Sequence, residues 1–322
     1  MGQRWLRAVV VAMALSLMSL AGCARGQTAP EAAATQTATA SASARDYDAS
    51  LLSGGLTRTY HVHLPPAISA GRPLPLLLSL HGRLGTGADQ AKLTDFDAVA
   101  DANGFIVVYL DGYERSWADG RGTTPADKAG VDDVAFLSAA LDQVIAREPV
   151  DATRVYVAGM SNGGFMTERL GCDLARRFAA IAVVAADFDQ PLAQRCAPTH
   201  PLPVMLIHGS ADPLVPEAGG PIDGEPTLSM AETVARWVSL AGCSPTPAVA
   251  ALPTIVADGT SVQRSIYSGC KGGAQVIYYV VIGAGHIWPD GPQYLPRSII
   301  GKTSHNLDAS QVIWQFFAAY HL

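Results

Sequence analysis

The sequence predicts an α/β fold, a mostly parallel central sheet covered by helices on both faces. Two observations carry this expectation. Strand and helix signals alternate from about residue 46 to the end of the chain, the order in which parallel sheets acquire their covering helices. The strand candidates are short, nearly continuous apolar runs, which suit strands buried on both faces better than a sheet with one wet side.

Taken in order, RTYHVHLP alternates and reads as an early, half-exposed strand. PLLLSLHG, FIVVYLDG, RVYVAGMS, AAIAVVAA, PVMLIHGS and QVIYYVVIG are the buried strands. Apolar residues recur every three or four positions in Asp133 to Arg147, in the segment after Gly163, in Ser229 to Ala241 and in Ala309 to Tyr320, which predicts helices there. VQRSIYSGCKGGAQVIYYVV is the one antiparallel piece, with Gly269, Gly272 and Gly273 in the turn between two strand patterns.

Ahead of the domain, Arg4 and Arg7 precede an apolar run from Ala8 to Leu20, and small residues follow at Ala21 and Gly22. Residues 1–22 therefore read as a secretory signal, the run being shorter than the roughly 20 apolar residues a membrane span needs. Leu20-Ala21-Gly22-Cys23 resembles the lipobox of bacterial lipoproteins, in which the cysteine is acylated, so Cys23 is the expected lipid attachment. Plain secretion with cleavage nearby is the alternative. Residues 23–45, nearly all Ala, Thr, Ser and Gln, have nothing large to bury and read as a tether. Residues 46–322 are expected to form one catalytic domain, with no second linker and no repeat.

The net charge of −6 and the lack of Lys/Arg clusters argue against nucleic acid as a partner. Membrane association is then expected from acyl chains. Beyond Cys23 four cysteines remain, and an exported chain favours disulfides. The expected pairing joins sequence neighbours, Cys172 with Cys196 and Cys243 with Cys270. No cysteine or histidine spacing suits zinc.

The chemistry is concentrated in RVYVAGMSNGGFMTERL, where a buried strand, Gly159-Met160-Ser161-Asn162-Gly163 and a helix follow one another. GxSxG alone is weak. Between a strand and a helix it is strong, because a nucleophile elbow turns so tightly that side chains at the flanking positions would clash. The turn lifts the Ser161 hydroxyl clear of the sheet and aims a helix N-terminus at the site of developing negative charge.

A serine hydroxyl needs a histidine to take its proton and a carboxylate to hold that histidine in the right tautomer. After such an elbow the chain order is serine, acid, histidine, which removes His61, His63, His81, His200 and His208 as bases. His286, in VVIGAGHIWPD straight after the last strand, is the expected base. His305 and His321 are the other histidines left. The acid should follow the penultimate strand, where Asp212 stands in PVMLIHGSADPLVP; Asp187 and Asp189 are the fallback. Asp223 and Glu225 read as solvated loop charges. For the oxyanion, the expected amide donors are the N–H groups of Asn162 and, from the loop after PLLLSLHG, Arg83.

LSLHG, YLDGYERSWADGR, VDDVAFL, RVYVAGMSNGGFM, HGSADPLVP and GAGHIWPDG occur in an order and spacing that resemble secreted polyhydroxybutyrate depolymerase-like esterases, relatives of feruloyl and acetylxylan esterases. The likeness spans about Thr57 to Phe317. It implies an α/β-hydrolase fold, Ser161, Asp212 and His286 as the triad, and a loop around Trp117 near the pocket mouth. Trp117, and Trp288 beside His286, are the expected substrate-binding residues. No cofactor and no metal are implied. The expected activity is hydrolysis of a carboxylic ester through an acyl-enzyme, with short acyl esters, feruloyl or acetyl polysaccharide esters and hydroxybutyrate oligomers as fitting substrates. A serine peptidase of the same fold and a catalytically dead binding lipoprotein are the rivals.

Overall fold

Apolar runs that fill both faces of a strand fix the centre of the molecule. The computed structural model describes residues 46–322. The strands are β1 (Tyr47–Ser53), β2 (Leu56–His63), β3 (Leu74–Leu80), β4 (Ile106–Leu110), β5 (Val150–Met160), β6 (Ala180–Val184), β7 (Val204–Gly209), β8 (Gly220–Ile222), β9 (Glu225–Thr227), β10 (Ala248–Ala251), β11 (Ser261–Tyr267) and β12 (Val276–Ile282). Every residue of β3, β4, β6 and β7 is buried. All but β8 and β9 lie in one sheet, in the order β1-β2-β4-β3-β5-β6-β7-β12-β11-β10. From β4 to β12 neighbours run parallel, and antiparallel strands extend both ends.

Because successive strand side chains point to opposite faces, the sheet splits the core into two layers. Leu76, Leu78 and Leu80 join one, Leu77 the other. On the first face lie α4 (Asp133–Arg147), α5 (Asn162–Asp173) and α7 (Met230–Ala241), contributing Phe136, Phe165 and Trp237. On the second lie α2 (Phe96–Asn103) and α9 (Ala309–Phe317), contributing Phe96, Ile313 and Phe317. Each such side chain, fully buried, is worth about 1.5–3 kcal/mol.

Local chemistry sets the helix ends. Ser229 caps α7 and exchanges hydrogen bonds with Glu232, and Gly242 closes the helix in the left-handed conformation. Asp132 caps α4 through Ala135 N–H. The last helix ends at Phe317, three residues short of the expected Tyr320.

Several elements escape the sequence pattern. Strand β1 alternates between half-buried and exposed and carries no apolar run, and β10, exposed throughout, is only four residues long. Helices α1 (Gly87–Thr94), α3 (Pro125–Lys128), α6 (Gln190–Arg195) and α8 (Arg297–Ile300) are too short to show a period. The β8–β9 hairpin is equally short, so Glu225, read as a loop charge, is a strand residue. Both disulfides pair as expected. Cys172 stands in the last turn of α5 and Cys196 at the C-terminal cap of α6, so one bridge braces the far end of the helix that begins at Asn162. Cys23, the signal and the tether lie outside the described residues.

Candidate active site

Ser161 sits between β5 and α5 with φ 56° and ψ −124°, a conformation that costs a non-glycine residue roughly 1–3 kcal/mol. Its N–H is held by the carbonyl of Val184 at 2.9 Å. The flanking glycines are required. A Cβ on Gly159 would strike the carbonyl of Gly163, and one on Gly163 would run into the carbonyls of Leu80 and His81. Ser161 is partly exposed, while Met160 and Asn162 on either side are buried at 2% each. The turn thus offers the hydroxyl and hides its neighbours.

Asp212 and His286 follow β7 and β12, so both stand at the carboxyl edge of the parallel sheet, as Ser161 does after β5. His286 Nδ1 lies 2.7 Å from Asp212 Oδ2, with both side chains buried. A carboxylate only accepts, so this contact places the histidine proton on Nδ1 and leaves Nε2 free to act as a base. The other carboxylate oxygen, Oδ1, accepts from the N–H groups of Leu214 (2.8 Å) and Val215 (2.9 Å). His208 Nε2 donates to the Val215 carbonyl at 2.9 Å, which steadies that turn; burial pushes the His208 pKa down, so the ring is neutral. The backbone of His286 is pinned at both ends, its N–H to Ile300 O and its carbonyl by the Tyr294 hydroxyl at 3.0 Å. Ser161 Oγ makes no hydrogen bond among the described residues; contacts of this kind tighten when substrate binds.

Asn162 opens α5, where the first N–H groups of a helix have no partner four residues back. Gly82 abuts Ser161, so that a Cβ there would lie 3.4 Å from Ser161 Cβ. Arg83 follows Gly82 directly in the chain, as Asn162 follows Ser161. The Arg83 side chain reaches Asp223 at the tip of the β8–β9 hairpin, 2.7 Å away, so Asp223 is an ion-pair partner as well as a half-exposed loop charge.

The remaining candidates are engaged elsewhere. His305 pairs with Asp290 at the surface, and His321 is exposed at the chain end. Asp189 caps α6 through Leu192 N–H. Asp187 is fully buried and accepts from Thr227 Oγ1 at 3.1 Å; burial pushes its pKa up to about 8, so the fallback acid is neutral at pH 7.

Trp117 and Trp288, the expected substrate-binding residues, present no exposed ring. Both indoles are buried, at 0% and 1% exposure. Trp288 packs edge-on against Phe96 and donates to Ser310. Trp117 donates its indole N–H to the His81 carbonyl. Sequence reading also missed the polar network behind the elbow. Asn162 Nδ2 donates to Asp119 Oδ2 at 2.6 Å, Asp119 is paired with buried Arg121, and Ala118 N–H bonds Asp133, itself paired with buried Arg58. The density of charged residues in DGYERSWADGR, between a buried strand and a helix, was the available signal.

The family model described as Esterase PHB depolymerase matches residues 58–191. The chain is similar to NocK of Nocardia uniformis subsp. tsuyamanensis, a protein named as an esterase, at 33% identity over 276 residues, covering 81% of this chain and 79% of that one. It is 28% identical to feruloyl esterase B of Piromyces equi over 71% of its own length, and spans only 42% of that longer protein. Among solved structures, the acetyl xylan esterase of Aspergillus awamori shares the fold, with a TM-score of 0.57 and 17% identity over 84% of this chain and 99% of that one.

Proposed function

This chain belongs to the Esterase PHB depolymerase family and is an esterase, and from that premise we propose how its residues divide the reaction. Ser161 Oγ attacks the ester carbonyl carbon as its proton passes to His286 Nε2. Asp212 holds the imidazole in the tautomer that can receive it and stabilises the imidazolium. The N–H groups of Asn162 and Arg83 take the charge of the tetrahedral oxygen. Collapse breaks the ester C–O bond, and His286 returns the proton to the departing alcohol. Water then adds to the acyl-enzyme, giving a proton to His286, and the acid leaves as the proton returns to Ser161. The observation that carries this reading is the 2.7 Å contact of His286 with Asp212 on the sheet edge that also presents the strained Ser161 turn.

We infer feruloyl and acetyl esters of polysaccharide as the substrate class, following the names of the relatives. The loops bearing the site also expose Leu84, Leu214 and Tyr294, apolar surface suited to an aromatic or alkyl group. Hydroxyalkanoate oligomers, after the family description, are the second reading. The test is a panel of initial rates on the full-length protein. It takes p-nitrophenyl acetate and butyrate, methyl ferulate, acetylated xylan, a 3-hydroxybutyrate trimer and amino-acid p-nitroanilides. Turnover of methyl ferulate and acetylated xylan above the trimer is expected; a preference for the trimer would move the assignment to the second reading, and anilide turnover above ester turnover would sink the ester mechanism.

Residues 46–322 are proposed as the catalytic domain, exported behind the 1–22 signal on the 23–45 tether and anchored through acylated Cys23. The two disulfides support export, since such bonds persist in oxidising compartments. Incorporation of an alkyne-tagged palmitate that disappears in Cys23→Ser, with the protein moving to the soluble fraction, is the expected result. Tagging that persists in the variant would rule the anchor out.

A further inference from the structure

We propose that Trp117 is a positioning residue that fixes the spacing between the two oxyanion donors, an inference that rests on the roles given above to Asn162 and Arg83. Three separate polar atoms of Trp117 are used. Its backbone N–H donates to Asn162 Oδ1 at 2.7 Å, and its carbonyl accepts from Asn162 Nδ2 at 3.1 Å. These two contacts hold the first residue of α5, whose own N–H is one donor. On its other side the indole N–H donates to the carbonyl of His81 at 2.9 Å, with the rings 4.9 Å apart.

The same turn grips the loop beyond Arg83 as well. Leu84 N–H donates to the Arg115 carbonyl at 2.8 Å, and Gly112 N–H donates to His81 Nε2 at 2.9 Å. Arg83, the second donor, is therefore bracketed at 81 and at 84 by bonds to one segment, Gly112–Trp117. That segment is specific in shape, with Glu114 at φ 45° and Arg115 at φ 58°. It is anchored behind Asn162 by Asp119, which the Arg121 guanidinium grips at 2.7 Å, both residues being almost wholly buried. A tryptophan that merely filled the core would need its ring alone. Here the hydrogen bonds join two loops that are otherwise far apart in sequence, 36 and 45 residues from Trp117. Oxyanion stabilisation depends on where the donors stand, so the joint that spaces them acts on the transition state more than on the bound ester.

The test uses the full-length protein with three changes. Trp117→Phe removes the indole N–H and some volume; replacing Trp117 by 3-benzothienylalanine swaps the N–H for sulfur and keeps the ring size; Asn162→Ala cuts the other tie but keeps the donor N–H. For each, kcat and KM on p-nitrophenyl acetate, the affinity for a phenylboronic acid that mimics the tetrahedral adduct, and the thermal midpoint are measured. A kcat loss of about ten- to a hundredfold is expected in all three, below what deleting a whole donor costs. The boronate should weaken by a similar factor, with KM moving less than about twofold. Wild-type kcat in the benzothienyl protein, or a lowered midpoint with unchanged kcat, would reduce Trp117 to packing and overturn the proposal. Fluorophosphonate labelling of Ser161→Ala separates the two levels. If that variant labels like wild type, the reading of the site itself is wrong; if labelling is lost while the Trp117 variants keep full kcat, only this inference fails.

Discussion

Ser161→Ala is expected to lower kcat by about 10⁵- to 10⁶-fold, leave KM nearly unchanged and abolish labelling by a fluorophosphonate. The magnitude follows from the role proposed for Ser161, that of nucleophile in a serine–histidine unit that acts as a whole. A residue of catalysis over water, about 10³-fold, should survive because the backbone amides at Asn162 and Arg83 remain. The substitution keeps the Cβ already present, so the fold should not change. No thiol stands ready as a substitute nucleophile among the described residues, since Cys172, Cys196, Cys243 and Cys270 are all in disulfides. Activity within tenfold of wild type would place the nucleophile elsewhere.

Asp212→Asn should cost about 10³- to 10⁴-fold in kcat, and the reason lies in the carboxylate's two faces. Oδ1 accepts from the N–H groups of Leu214 and Val215. An asparagine must keep its oxygen there, because its amide nitrogen would set donor against donor. The NH₂ group is then forced toward His286 Nδ1, which has to accept instead of donate. The imidazole proton moves to Nε2, and the atom that should take the serine proton already holds one. Because both backbone contacts and the side-chain volume survive, the thermal midpoint should stay within a few degrees of wild type. A variant that unfolds early with normal kcat at low temperature would show Asp212 to be a turn former only.

Both residues stand where the sequence alone places them. The buried strands were legible because parallel strands covered on both faces are buried at every position, as β3 and β7 are, and so read as nearly continuous apolar runs. Candidates at 161, 212 and 286 were legible because an elbow needs glycines and loops after parallel strands share one edge of the sheet. Edge strand β1 was not, since a strand with a wet face needs no apolar run, and β10 is too short at four residues to stand out. Trp117 was misplaced for a different reason. It is buried in the core and bonded to His81 and Asn162, residues brought to it by two different strand ends, and no local pattern records such a meeting. Asp223 likewise became a partner of Arg83 through a separation of 140 residues.

The backbone angles of Ser161 set heat tolerance and turnover against each other at one residue. Glycine alone occupies φ 56°, ψ −124° without strain, so the substitution that most relaxes the turn is also one that deletes the hydroxyl. Selection for thermal persistence without selection for turnover would drift position 161 toward glycine and leave well-folded, inert descendants. Under the proposed mechanism, strain at position 161 accompanies the placement of a hydroxyl there.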